Sequence, residues 1–178
     1  MKKTIISTLL IAGTALASQL AMATPDGTIN ITGAVTDTSC TINGQTAPAT
    51  IAVALPSVSK STLAAANATA GKTPFQIKLT GCSGSTLNNV HTFFELGSNV
   101  NAAGRLTSGV ANVDVELLNG DDSSPIVIGA ADASQNSHIT PISGGAATQG
   151  YFAQYKAPTG SAGTGPVATS VTFTLAYQ

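Results

Sequence analysis

Toward the end of the chain, apolar and polar side chains alternate without a break, with Val171, Phe173, Leu175 and Tyr177 on one side and Thr172, Thr174 and Ala176 on the other. A repeat of two sends successive side chains to opposite faces of an extended backbone and cannot be gathered onto one face of a helix. The same period recurs in Ile51, Val53 and Leu55, in Phe75, Ile77 and Leu79, in Val90, Thr92, Phe94 and Leu96, and in Val113, Val115 and Leu117. Ile126 and Ile128 make a shorter run after Pro125, and residues 151–155 form an aromatic strand candidate. Residues 81–89, 119–125, 132–145 and 157–166 are dominated by Gly, Pro, Asn, Asp and Ser, which favour turns. Only residues 61–70 read as a short helix. Six or seven short strands punctuated in this way predict an all-β chain, an antiparallel sandwich of immunoglobulin-like type. No internal repeat or second domain boundary is visible, and 178 residues suit one ordinary domain.

Residues 1–23 do not belong to that pattern. Lys2 and Lys3 precede an apolar run from residue 4 to about residue 16, and Ala21-Met22-Ala23 follows, which is the arrangement of a secretory signal. Cleavage is expected after Ala23, with Ala15-Leu16-Ala17 as a second possible site. Thr24-Pro25-Asp26-Gly27 then breaks any regular structure. Export gives the cysteine count a meaning: an even pair in an oxidising compartment closes, so Cys40 and Cys82 are expected to be bonded. Such a bridge removes denatured-state entropy worth about 4 kcal/mol on the chain-entropy estimate. His91 and His138 have neither an HxxxH nor a CxxC neighbour, so no metal site and no cofactor are expected.

Charge narrows the function further. Only 8% of the residues are charged, against about 25% in an ordinary soluble domain. Loss of Lys2 and Lys3 leaves five basic residues against eight acidic ones, which offers phosphates no basic stripe and excludes nucleic acid as a partner. After the signal, no apolar run reaches the roughly 18 residues of a membrane-spanning helix, so no membrane span is expected in the exported chain. There is no GxSxG, HExxH or P-loop, and an enzyme is not expected. Asp114 with Glu116 and Asp121 with Asp122 are the candidate carboxylate pairs, and their ordinary reading is solvated surface charge.

Two strands stand in unusual places. In residues 25–33, Pro25, Gly27, Ile29, Ile31 and Gly33 share one face, and Asp26, Thr28, Asn30 and Thr32 the other. This segment either folds onto its own sheet or adds to another molecule's, and the residues alone favour its own sheet. At the other end, the strand from Val171 to Gln178 is the most regular amphipathic one in the chain. An edge of that kind has to be covered, because unpaired N–H and C=O groups beside an apolar face invite another strand.

With the signal and the cysteine pair, these two segments resemble the pilin subunits of chaperone–usher fimbriae, particularly the major subunits of type 1-like pili. The resemblance rests on residues 27–33 leading through residues 34–39 to Cys40, on residues 75–79 leading to Cys82, on residues 150–155, and on Gly165 fourteenth from the end with Tyr177 penultimate. It spans essentially the whole exported chain. It implies an incomplete immunoglobulin-like antiparallel sandwich lacking its last strand: a signal peptide at 1–23, an N-terminal donor-strand extension at 24–33 and a pilin domain at 34–178. The acceptor groove would lie along Gly165, Val171, Phe173, Leu175, Tyr177 and Gln178. The donor strand would be Pro25, Gly27, Ile29, Ile31 and Gly33, with Gly27 at the pocket that admits only a small residue, Ile29 and Ile31 as the main inserting side chains, and Pro25 and Gly33 flanking them. Pro25 brings no backbone donor.

The partners implied are neighbouring pilin subunits in a head-to-tail homopolymer, a periplasmic chaperone that lends a strand along the groove and anchors the carboxylate of Gln178, and an outer-membrane usher that catalyses exchange. The chain would pass through the periplasm to a cell-surface fimbrium and act in adhesion. The alternatives are a minor adaptor or receptor-binding fimbrial subunit, and a freestanding secreted β-sandwich. A tip adhesin is disfavoured: sixteen residues, 24–39, precede Cys40 after cleavage, too few for a lectin domain, and there is no Trp.

Overall fold

The computed structural model describes residues 39–83 and 88–178. The expected signal and the strand at 25–33 lie outside the described residues. The described residues form eight strands: β1 Ser39–Ile42, β2 Ala68–Ser83, β3 Asn89–Phe94, β4 Leu106–Thr107, β5 Asp114–Asn119, β6 Thr140–Pro141, β7 Ala147–Ala157 and β8 Phe173–Tyr177. They form a five-stranded sheet in the order β1-β2-β7-β5-β4 and a three-stranded sheet in the order β6-β3-β8. Every ladder is antiparallel.

The alternating apolar positions become the inner faces of the two sheets. Ile77 and Leu79 of β2, Val115 and Leu117 of β5, and Tyr151, Ala153 and Tyr155 of β7 are buried on one side of the core, facing Val90 and Phe94 of β3. The Phe94 ring stands edge-on to Tyr151 with centroids 5.4 Å apart, and Phe75 lies 5.5 Å from the same ring. A buried polar link completes the centre: Thr92 Oγ1 donates to Gln149 Oε1 at 2.8 Å, and Gln149 Nε2 donates to the Val90 carbonyl at 3.3 Å. β2 bends at a bulge between Ala70 and Thr73. Gly71 sits there at φ +69°, and a Cβ at this position would come within 3.0 Å of the Tyr155 ring, so glycine serves both the conformation and the close approach.

Three segments depart from the alternation read in the sequence. Residues 61–70 are not a helix: one 3₁₀ turn, Lys60–Leu63, is capped by Ser59, and β2 begins at Ala68 after Asn67 adopts φ +61°. Leu63 is the only buried residue of that turn, so no helical stripe exists to be covered. Ile126 and Ile128 are buried but belong to a loop laced to its surroundings, Ile126 N donating to the Leu117 carbonyl and Ile128 N to that of Gly104. Ile51, Val53 and Leu55 alternate in exposure as a strand would, yet the segment joins neither sheet. The reason lies beside it, in the space between this segment and β8.

Candidate functional site

Among the described residues β8 is the outermost strand of its sheet, paired with β3 alone. Gln178 and Asn89 exchange both main-chain hydrogen bonds, at 2.8 and 3.0 Å, and Glu95 N donates to Thr172 O at 2.9 Å. In an antiparallel ladder residues alternate between those that bond the partner and those that do not. The even-numbered residues of β8 therefore address β3, and the N–H and C=O of Phe173, Leu175 and Tyr177 point away from it. These same three residues carry the side chains that face the core, opposite Phe94, Thr92 and Val90. They are only half-buried, whereas Val90, Phe94 and Ile77 are buried.

What lies beyond them is a groove of about 1560 Å³. Val171, Phe173, Leu175 and Tyr177 form one wall and Ile51, Val53 and Leu55 the other, over a floor that includes Ile77, Val115, Leu117 and Tyr155. Two lips with alternating apolar side chains and an unladdered backbone on each side offer the chemistry that one added β-strand would satisfy. Gln178 closes the ladder at one end, and Gly165 lies upstream of the wall, in the extended stretch that leads to it.

The Cys40–Cys82 disulfide is formed, with Cα atoms 4.3 Å apart, and joins β1 to β2 at the groove's end. Tyr177 Oη donates to Cys40 Sγ at 3.4 Å, so the bridge and the end of β8 meet. Burial raises the Tyr177 phenol above its ordinary pKa. The groove strand and the disulfide are thus brought together by the fold; the donor-strand residues, Pro25 to Gly33, lie outside the described residues.

The acidic pairs singled out in the sequence have other roles. Asp114 and Glu116 are not solvated surface charges. Glu116 is buried, its Oε1 accepting from Lys156 Nζ and its Oε2 from Gln154 Nε2, both at 2.9 Å. Asp114 Oδ2 accepts from Arg105 Nε at 2.9 Å. These partners come from the β4, β5 and β7 neighbourhood, assembled by cross-strand register that sequence spacing does not reveal. The two histidines also find acidic partners: His91 Nε2 lies 2.7 Å from Asp132 and His138 Nδ1 2.8 Å from Asp121.

Asp121, Asp122 and His138 are the one group of three potential metal ligands found among the described residues. Each is already engaged. The His138 ring holds the Asp121 carboxyl below its ordinary pKa, and main-chain hydrogen bonding from Ser124 does so for Asp122. The cluster is an exposed turn tied by its own hydrogen bonds.

A comparison of the whole chain with known proteins agrees with this geometry. Residues 55–178 match the family described as type-1 fimbrial protein, A. The chain is 43% identical over 171 residues to the major fimbrial subunit SMF-1 of Stenotrophomonas maltophilia, covering 91% of this chain and 98% of that one. It is 38% identical over 172 residues to the F17 fimbrial protein of Escherichia coli, covering 92% and 94%. Among solved structures, the P pilus rod subunit PapA shares the fold with a TM-score of 0.60 at 20% identity, over 79% of this chain and 99% of that one. A subunit from a chaperone–usher pilus superposes with a TM-score of 0.58 at 21% identity, over 89% and 100%. The chain belongs to the type-1 fimbrial protein family: it is a structural subunit of a cell-surface fimbrium, with other pilin subunits as its partners, and not an enzyme.

Proposed function

We propose that the subunits join by donor-strand exchange, residues 24–33 of one copy filling the groove of the next. The observation that carries this reading is the edge of β8, unpaired among the described residues, beside a groove lined by alternating apolar side chains. Ile29 and Ile31 contribute about 1.5–3 kcal/mol each when buried, and main-chain hydrogen bonds along β8 are gained in addition. A surface that gives a strand and another that receives one make a head-to-tail contact, which propagates as a filament instead of closing on itself.

The same groove explains a chaperone and an usher. An unfilled apolar edge aggregates, so transit through the periplasm requires a temporary strand beside Val171, Phe173, Leu175 and Tyr177. A chaperone supplies that strand and holds Gln178, and an usher catalyses its replacement. The segment at 1–23 directs export and is removed after Ala23.

Deletion of residues 24–33 tests the assignment. The expected product is a subunit that accepts a synthetic strand of the deleted sequence but adds nothing to a growing filament. Normal filament growth from the deletion, seen by electron microscopy, would refute it.

A further inference from the structure

The stripe facing the groove continues upstream of β8, one residue in two: Val167, Thr169, Val171, Phe173, Leu175 and Tyr177. Thr169 is its single polar member. Its Oγ1 is buried and has no hydrogen-bond partner, the only such side-chain atom among the described residues. The neighbouring residues are tied: Asn99 Nδ2 donates to Ser170 O at 3.1 Å and to Ser170 Oγ at 3.2 Å, and Glu95 N donates to Thr172 O. These bonds hold even-numbered residues and leave Thr169 untied. A buried hydroxyl without a partner loses its solvation with nothing in return. A threonine has staggered χ1 rotamers, and one turn of about 120° carries the hydroxyl to a new staggered position, a way for it to meet an arriving strand.

We infer that Thr169 sets the register of the inserted strand: its hydroxyl hydrogen-bonds the main chain of a second copy's extension at Gly33. The inference rests on the strand-exchange reading above. An isoleucine opposite Thr169 would cover the hydroxyl with hydrocarbon, whereas glycine leaves the main chain within reach. All ladders among the described residues are antiparallel, and antiparallel pairing is the more stable per residue. Antiparallel to β8, Gly33 opposite Thr169 sets Ile31 against Val171, Ile29 against Phe173, Gly27 against Leu175 and Pro25 against Tyr177. Every inward residue of the extension then meets a residue of the stripe. The other glycine fails this condition: with Gly27 opposite Thr169, Ile31 falls at Gly165 and Gly33 at Gly163, beyond the stripe.

The test uses the full chain refolded by dilution into an excess of a fluorescein-labelled peptide of residues 24–36, followed by release of the label into unlabelled peptide. Thr169→Val keeps the shape and removes the hydroxyl, and is expected to speed release about five- to tenfold. Thr169→Ser should stay near wild type. In the peptide, Gly33→Ala should speed release from the wild-type chain but add little to Thr169→Val, while Gly27→Ala should act independently of residue 169. Should Thr169→Val fail to refold, the comparison of Gly33→Ala with Gly27→Ala on the wild-type chain still decides, the first being expected to release faster. Equal release from Thr169→Val and wild type, or coupling to Gly27 instead of Gly33, overturns the inference. A wild-type chain that takes up no peptide at all overturns strand exchange itself, a distinct outcome.

Discussion

The three-stranded sheet has two edges, and they are finished in opposite ways. Beyond β3, β6 pairs only with Asn89 and Val90. Further along, the chain covers β3 without a strand. Gln135, buried in the short helix α1 at Asp132–Gln135, accepts from Phe94 N at 2.6 Å and donates to Phe94 O at 2.9 Å, and Gly129 N donates to the same carbonyl at 3.1 Å. A side-chain amide with one donor and one acceptor stands in for the residue a neighbouring strand would offer. Beyond β8 nothing comparable occurs among the described residues, although Ile51, Val53 and Leu55 lie across the groove. A chain that satisfies one edge with a single glutamine has the means to satisfy the other. Among the described residues the edge of β8 is left without a cover, and this opening is what the strand-exchange proposal rests on.

The covered edge should be the more costly to disturb. Gln135→Met keeps the volume, removes the Gln135 acceptor from the Phe94 N–H and leaves the Phe94 C=O with Gly129 N. A loss of about 2–5 kcal/mol is expected, measured by guanidinium unfolding of the subunit with its groove filled by the residue 24–36 peptide. The empty subunit should lose as much, because β3 is covered in both states. The open edge should behave differently. Phe173→Ser removes a half-buried ring from the groove wall and is expected to cost about 2–3 kcal/mol in the filled subunit and clearly less in the empty one. It should also lower recovery of soluble subunit from the periplasm. Equal losses in both states would mean that β8 is already covered, and the contrast between the edges would fall.

Much of this contrast was legible in the sequence, and the limits have physical causes. The two-residue period placed Phe173, Leu175 and Tyr177 on a core face and left their strand looking for a cover, as the fold shows. The Cys40–Cys82 pair was readable because two cysteines allow one bond. Resemblance, not periodicity, indicated that the sandwich is one strand short, since Ile51, Val53 and Leu55 alternate whether or not a neighbour pairs with them. The Gln135 cover was invisible: it depends on the fold bringing one amide to a residue 41 positions away in the sequence. Glu116 was misjudged for a related reason, because Lys156 and Gln154 reach it only through the β5–β7 register. Thr169 could have been found, as one polar residue interrupting an apolar stripe.

The donor side of the comparison is sharpened by glycine. On the strand-exchange proposal, with Gly27 at the small-residue pocket that the family resemblance implies, Gly27→Leu in the extension should slow exchange into the groove about tenfold or more through overpacking. Stopped-flow displacement of a bound labelled strand measures it. The parallel variant Gly33→Leu identifies which of the two glycines meets the tighter part of the groove. Unchanged rates for both would remove the steric argument while leaving the open edge as it is.

The smallest effect separates the two edges by proton chemistry. Tyr151 lies in the closed core, 2% exposed, and Tyr177 in the groove wall, half-buried; burial raises the phenol pKa of both. A tyrosine with a folded-state pKa above its ordinary value of about 10 contributes stability that is fully present below that value and is lost as pH rises through the folded pKa. Filling the groove removes more water from Tyr177 and adds nothing around Tyr151. In a spectroscopic titration at alkaline pH, the difference between wild type and Tyr177→Phe should therefore move to higher pH when the peptide is bound. By linkage, the peptide should bind more weakly once the medium is alkaline enough to ionise Tyr177 in the empty groove. The difference between wild type and Tyr151→Phe should not move with peptide. A Tyr177 signal that stays in place on filling would show that its phenol is already fully enclosed, and that this end of the groove is closed before any strand arrives.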